Sequence, residues 1–203
     1  MGNSTPMLVK PSTPEIITIF RQLMPTQVVK ELLHPSGVTL YWRLLTPLVL
    51  LWCVIDQRLS KDHTCDEVLS YLRSGDADNL VSKEGKTPLS QELKSENTSA
   101  YVQGRNCLPL SVLVGALRHT YKVISIELSD DNRCFRGHRV RFMDGTTFRL
   151  RPFGDLEETY GKAENQHGKS YWVVVRVLAA FCLQSEALVA AKEAKLTTSE
   201  TVG

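Results

Sequence analysis

No apolar run in this chain of 203 residues is long enough to cross a bilayer. The longest, Leu44 to Ile55, is interrupted by Thr46-Pro47 and stops at Asp56, whereas a spanning helix takes roughly 20 residues. The first residues, Met1 to Pro14, are rich in Ser, Thr and Pro and lack the apolar centre of a signal peptide. They are expected to be disordered, and the chain is expected to be soluble with no membrane partner. The five cysteines are odd in number, widely spaced and include no CxxC pair, which excludes a sequence-evident disulfide framework or structural zinc and fits a reducing cytoplasm. HExxH, GxSxG, a P-loop and GxGxxG are all missing. The histidines therefore read as surface or capping residues, and the cysteines as core packing. Excess charge is lacking too: 24 basic residues face 22 acidic ones, so any pull on nucleic acid must come from local clusters.

What is present is an apolar share of 42%, close to the globular average and sufficient for a core. The first two thirds read as helical. Ile16, Ile17, Phe20 and Leu23 recur at helical spacing, and Pro25 opens a second helix with Val28, Val29, Leu32 and Leu33 on its apolar face. His34-Pro35-Ser36-Gly37 ends that helix. Thr46-Pro47 has the form of an N-cap and first helical residue, opening a buried helix through Leu59. Thr64-Cys65-Asp66-Glu67 has capping-box spacing and begins another. From Arg73 to Asn97 the composition turns polar, predicting a long surface connection with one helical turn around Leu89 to Leu93. Two short helices over Thr98 to Arg105 and Pro109 to Tyr121 complete this part. Their corner suits a helix-turn-helix, a shape many domains adopt without touching DNA.

The period changes near Asn132. Arg139 to Arg151 alternates with a period of two, Tyr171 to Cys182 is rich in valine, and Leu188 to Ala191 follows a turn at Gln184-Ser185-Glu186. Three consecutive strands are predicted. Within the first, Met143-Asp144-Gly145-Thr146-Thr147-Phe148-Arg149-Leu150 sets one carboxylate between two apolar runs. Asp-Gly is a common turn pair, so the stretch reads as two short strands joined by a tight connection or bulge. Asp144 is then either a turn acid or an acid held by rigid backbone, where it could grip a metal. Arg133, Arg136, Arg139, Arg141, Arg149 and Arg151 surround it in sequence, with no second acid in that interval. Such forks suit phosphate oxygens, and they equally suit solvated positions of a strand. Lys162 and Lys169 flank a polar, glycine-bearing loop.

Several of these blocks, taken in order, resemble a known family. Phe135-Arg136-Gly137-His138-Arg139-Val140, followed by Met143 to Leu150, is similar to the first catalytic-aspartate block of insertion-sequence DDE transposases of the IS-four type. Asp62-His63-Thr64-Cys65-Asp66 resembles their acid-x-hydroxyl-Cys segment. Ser99-Ala100-Tyr101-Val102-Gln103-Gly104-Arg105, with Leu108-Pro109 after it, resembles their Tyr-x-x-Ala-Arg…Leu-Pro element. The similarity spans roughly residues 16 to 200. It departs at Gly104, where alanine is usual, at Asn106-Cys107, where a more basic pair is usual, and at Ser185-Glu186, which replaces a Thr-Gly turn.

The resemblance implies an α+β chain. A disordered 1–14 would precede an all-α, DNA-binding-type domain over 15–132, and 133–203 would form the first three strands of an incomplete RNase H-like core. It implies Asp144 as the first catalytic carboxylate and a ligand of Mg2+, with Arg105, Arg139 and Arg149 as DNA contacts. The partners implied are transposon-end DNA and, in addition, a second copy or an intact transposase, in a cytoplasmic, nucleoid-associated setting. The family's second Asp and its Glu find no counterpart here, so the expectation is a truncated, catalytically incomplete copy. The alternatives are a DNA-binding or transposase-inhibiting remnant, and a helical protein-interaction module. Three strands without covering helices are also expected to expose an apolar face and an open edge.

Overall fold

A computed structural model of the chain describes residues 13–38, 44–80, 87–127, 135–165 and 168–195. The expected disordered N-terminus lies almost entirely outside these residues, as does the end of the polar tail. Among the described residues there are eight α-helices and one four-stranded antiparallel sheet, an α+β arrangement. The chain divides into two compact units, Met1–Ala116 and Leu117–Gly203.

The first unit is helical, and its local signals act where the sequence puts them. Helix α1 spans Thr13–Leu23 and α2 spans Thr26–Leu33, with Pro25 as the extended residue before α2. Gly37, at φ 65°, closes the 3-10 turn His34–Ser36 that follows; a left-handed residue there costs glycine nothing. Helix α3, Pro47–Leu59, starts on Thr46, whose hydroxyl accepts from the Val49 amide at 3.3 Å. Helix α4, Cys65–Ser74, starts on Thr64, whose hydroxyl accepts from the Glu67 amide at 3.1 Å. Each cap fills one of the orphaned amides of a helix start and contributes about 1 kcal/mol.

Helix α3 is the axis of this unit. Leu48, Val49, Leu50, Leu51, Trp52 and Cys53 are all buried, so it is apolar around its whole girth. Ile17, Phe20, Val29, Leu33, Val68, Leu69, Leu72, Tyr101 and Val112 belong to the same core. The polar segment after Arg73 departs from the expected surface connection. The helical turn expected around Leu89 to Leu93 is there as the short helix α5, Leu89–Glu92, but the segment adds a 3-10 turn at Asp78–Leu80 and buries Ala77, Leu80, Leu89 and Leu93. The Asp78 carboxylate accepts from the Ser90 amide at 2.7 Å and from its hydroxyl at 2.6 Å, which ties the two ends of the excursion together. Four scattered apolar residues carry no period, which is why the sequence hid their burial.

Helix α6, Ser99–Cys107, and helix α7, Leu110–Glu127, follow. Gly104 in α6 stands against α3: a Cβ there would lie 2.8 Å from Leu50 Cδ2. Alanine gains about 1 kcal/mol of helix propensity, but overpacking a buried leucine costs about 1–3 kcal/mol. Glycine is thus the residue this close approach accepts.

The second unit is built on one long strand. Strand β1 is Arg141–Leu150, helix α8 is Leu156–Tyr160, and strands β2, β3 and β4 are Lys162–Asn165, Gly168–Cys182 and Leu188–Lys195. All three partners run antiparallel to β3: β1 along residues 173–182, β2 along 168–173 and β4 along 175–181. Two sequence expectations are corrected here. The stretch around Asp144 is one continuous strand and not two strands with an Asp-Gly connection. Every residue of β1 from Arg141 to Leu150 has a partner in β3 with no shift of register. Gly145 is absent from the positive-φ glycines, so the dipeptide is held extended by its ladder. There are also four strands where three were expected, since part of the polar loop between Lys162 and Lys169 pairs with the start of β3 as β2.

Little of this sheet is covered. Val173, Val175 and Cys182 are its buried apolar residues, while Phe142 is 53% and Phe148 52% exposed. Among the described residues β1 pairs only with β3, so its outer edge is open, the arrangement that invites proteolysis or strand addition. Limited proteolysis is therefore expected to leave a resistant fragment ending before Val173. A resistant fragment that runs past Val177 would show the sheet to be as stable as the helical core.

Candidate functional site

Alternation along β1 settles which residues share a face. Phe142, Asp144, Thr146, Phe148 and Leu150 fall on one side, opposite Phe181, Ala179, Val177, Val175 and Val173 of β3. Asp144 is exposed, and its Oδ1 accepts from the Gly145 amide at 2.8 Å. The carboxylate is thereby oriented by its own strand. Along β1 and the β3 residues paired with it the face is otherwise apolar apart from the Thr146 hydroxyl, and β4 adds Glu193 and Lys195 by register. Arg141 and Arg149 lie on the other face, together with Arg176 of β3 and Lys192 of β4 by register. The cations that neighbour Asp144 in sequence are therefore separated from it by the thickness of the sheet. Arg139 precedes the strand, is exposed, and donates to the Ser125 carbonyl at 3.3 Å. Arg133 lies outside the described residues.

Magnesium, the ion the resemblance implies, takes several oxygen ligands. Glu193 of β4 shares the face of Asp144 but stands two strands away, roughly 10 Å or more at the ordinary strand spacing. Among the described residues no three Asp, Glu, His or Cys side chains gather to hold a metal. Asp144 offers one ligand, and the residues around it do not complete a site.

The third arginine singled out by the sequence, Arg105, has a different setting. Its guanidinium donates to Gln57 Oε1 at 3.1 Å and lies 5.8 Å from the centre of the Tyr101 ring. Gln57 is a buried residue near the end of α3, and it is saturated. Its Oε1 also accepts from the Tyr101 hydroxyl at 2.8 Å. Its Nε2 donates to the His63 carbonyl at 2.8 Å and approaches Cys65 Sγ at 3.8 Å. The backbone carbonyl of Gln57 meets His63 Nδ1 at 2.9 Å, and His63 adopts the left-handed φ of 56°. Both amide protons and both lone pairs of the side chain are in use, the most a glutamine can do. Burial, first of all, pushes the Tyr101 phenol up to about 12, so it stays a donor.

One residue before Gln57 the same helix carries a second polar site. Asp56 lines a cavity of about 230 Å³ with Ile16, Trp52, Leu59, Ser60, Glu67 and Tyr71. Burial, and next the charge of Glu67, raises the Asp56 carboxyl from 3.8 to about 6. Burial, then Asp56, pushes the Tyr71 phenol up to about 12. Neither Gln57 nor this cavity was singled out from the sequence. The available signal was an Asp-Gln pair inside an otherwise apolar helix, because buried polar groups occur where partners wait for them.

Two outcomes are expected. Replacing Gln57 by leucine orphans the buried Tyr101 hydroxyl and should lower stability by about 2–4 kcal/mol, whereas Tyr101→Phe should cost about 1 kcal/mol; urea unfolding followed by circular dichroism measures both. For Asp56, the unfolded chain titrates near the ordinary carboxyl value, so the folded chain holds an extra proton between about pH 4 and 6. The stabilisation that the protonated group gives is complete at low pH and is lost as pH rises toward 6, by at most about 3 kcal/mol. Asp56→Asn should flatten that slope in thermal unfolding across this range; an unchanged slope would remove Asp56 as its source.

Comparison of the chain with protein-family models, with curated proteins and with solved structures gives no match.

Proposed function

We propose that this chain is the helical domain and the opening strands of an insertion-sequence DDE transposase of the IS-four type, acting on DNA. The observation that carries the reading is the position of Asp144. It sits on the first strand of an antiparallel sheet, in which β3 pairs with β1 on one side and β4 on the other, that follows a helical unit. That is where the resemblance calls for the first carboxylate of an RNase H-like core.

A second observation supports it. The two upstream blocks of the resemblance are far apart in sequence, yet both end on Gln57: His63 and Cys65 from one, Tyr101 and Arg105 from the other. Residues that a family pattern groups together thus share one hydrogen-bonding centre. In this reading Arg105 is a positioning residue of the helical unit, with one N–H engaged by Gln57. Phosphate contact falls first to Arg139 and Arg149.

The 203 residues contain one carboxylate of the three that such a core uses, and no catalytic step is assigned to Asp144 alone. In this reading the residues present act by binding DNA, at transposon ends or beside an intact copy. A helical protein-interaction module is the competing reading, favoured by the inward engagement of Arg105. Fluorescence anisotropy with duplex DNA, across a salt series, separates the two. DNA binding should weaken steeply with salt, and the Arg139→Ala, Arg149→Ala double variant should reduce the log–log slope by about 2. No binding at low salt favours the interaction module. Asp144-dependent cutting in the presence of Mg2+ would overturn the non-cleaving assignment.

A further inference from the structure

The cavity beside α3 is lined by a set of polar atoms that the protein itself leaves unanswered. The indole Nε1 of Trp52, the Glu67 Oε2 and the Tyr71 hydroxyl are all buried and none makes a well-formed hydrogen bond, although the indole stands close enough to the Tyr71 hydroxyl to oppose the rise of that phenol. Trp52 is only 1% exposed, and its ring is wedged between Phe20 at 5.2 Å and Tyr71 at 6.3 Å between centroids. The indole cannot turn away to find water elsewhere. Asp56 and Glu67 bring two carboxylates to one small space, and among the described residues no ion pair engages either of them. Unanswered groups of this kind each cost about 1–3 kcal/mol, and native structures rarely collect several in one place.

The chemistry of the lining defines what would answer it. Two carboxylates accept hydrogen bonds and call for a cation that donates several. The indole N–H can only donate, so it calls for an acceptor on the same ligand. A bare metal ion meets the first demand and not the second. Ile16 and Leu59 supply an apolar wall for the atoms between the two polar ends. At roughly 30 Å³ per water, the 230 Å³ space holds a ligand of several non-hydrogen atoms.

We propose that this cavity, lined by Trp52, Asp56, Glu67 and Tyr71, binds a small primary ammonium compound carrying a neutral oxygen a few bonds away, an amino alcohol in its simplest form. The ammonium group donates to Asp56 and Glu67, and the oxygen accepts from the Trp52 indole. The site lies wholly within the helical unit and is independent of the DNA-binding reading.

The test uses the full chain labelled with nitrogen-15, following the Trp52 indole N–H resonance, which Trp52→Phe identifies by its loss. Titration with 2-aminoethanol should shift that resonance saturably, with a midpoint on the order of millimolar for so small a ligand. Its uncharged counterpart 1,2-ethanediol should give no saturable shift. Glu67→Gln should weaken aminoethanol binding about tenfold or more. No shift up to ~100 mM aminoethanol, or an equal response to ethanediol, overturns the proposal. The comparison of the two ligands on the unmodified chain decides the matter even if Glu67→Gln does not fold.

Discussion

The helical unit depends on one constraint: α3 is surrounded, and its last turn must still carry polar groups inward. Leu48 to Cys53 are buried on every face of the helix, so this stretch of α3 has no side from which water can reach a stray amide. Gln57 resolves this by using all of its hydrogen-bonding capacity on four partners from two other segments. A glutamine so saturated fixes the left-handed turn at His63, the start of α4 and the orientation of α6 together. The close approach of α6 at Gly104, against Leu50, is the steric counterpart of the same bond set. A larger residue at 104, on the helix that brings Tyr101 and Arg105 to Gln57, would press on the Leu50 side chain.

The two polar residues at this point of α3 behave in opposite ways. Gln57 is neutral and fully answered, and it works as a fastener. Asp56, one residue earlier, points into a cavity with a second carboxylate and an unanswered indole, and its raised carboxyl reflects that burial. Structural polar groups are satisfied internally, while groups that meet a ligand are left open. The contrast within a single turn of helix is what makes the cavity a site rather than a packing flaw.

In the sheet, β3 is the organising element. Its 15 residues exceed the length of any partner, so β1 occupies one side while β2 and β4 share the other end to end. The unbroken ladder of β1 against β3 explains why Asp144-Gly145 does not turn. A type I′ turn at this pair would cost the ten paired positions of the strand. Asp144 is instead held on an extended segment, oriented by its own Gly145 amide, with the nearby cations Arg141 and Arg149 directed to the other face.

Helix starts were legible because their determinants are local: Thr46 with Pro47 and Thr64 with Glu67 each act within one turn, whatever surrounds them. The alternation from Arg139 to Arg151 and the valine run before Cys182 likewise fixed strands, since a period of two needs only the backbone. What the sequence left undecided depended on partners distant in the chain. Whether Asp-Gly turns or extends was settled by β3, about thirty residues later. The burial of Ala77, Leu80, Leu89 and Leu93 depended on the Asp78–Ser90 bonds, and the position of Arg105 on Gln57, 48 residues earlier. The sequence by itself thus determined where elements begin and which period they follow. Only the tertiary structure decided which faces meet and which polar groups find partners, because those free energies belong to contacts between segments and not to any one of them.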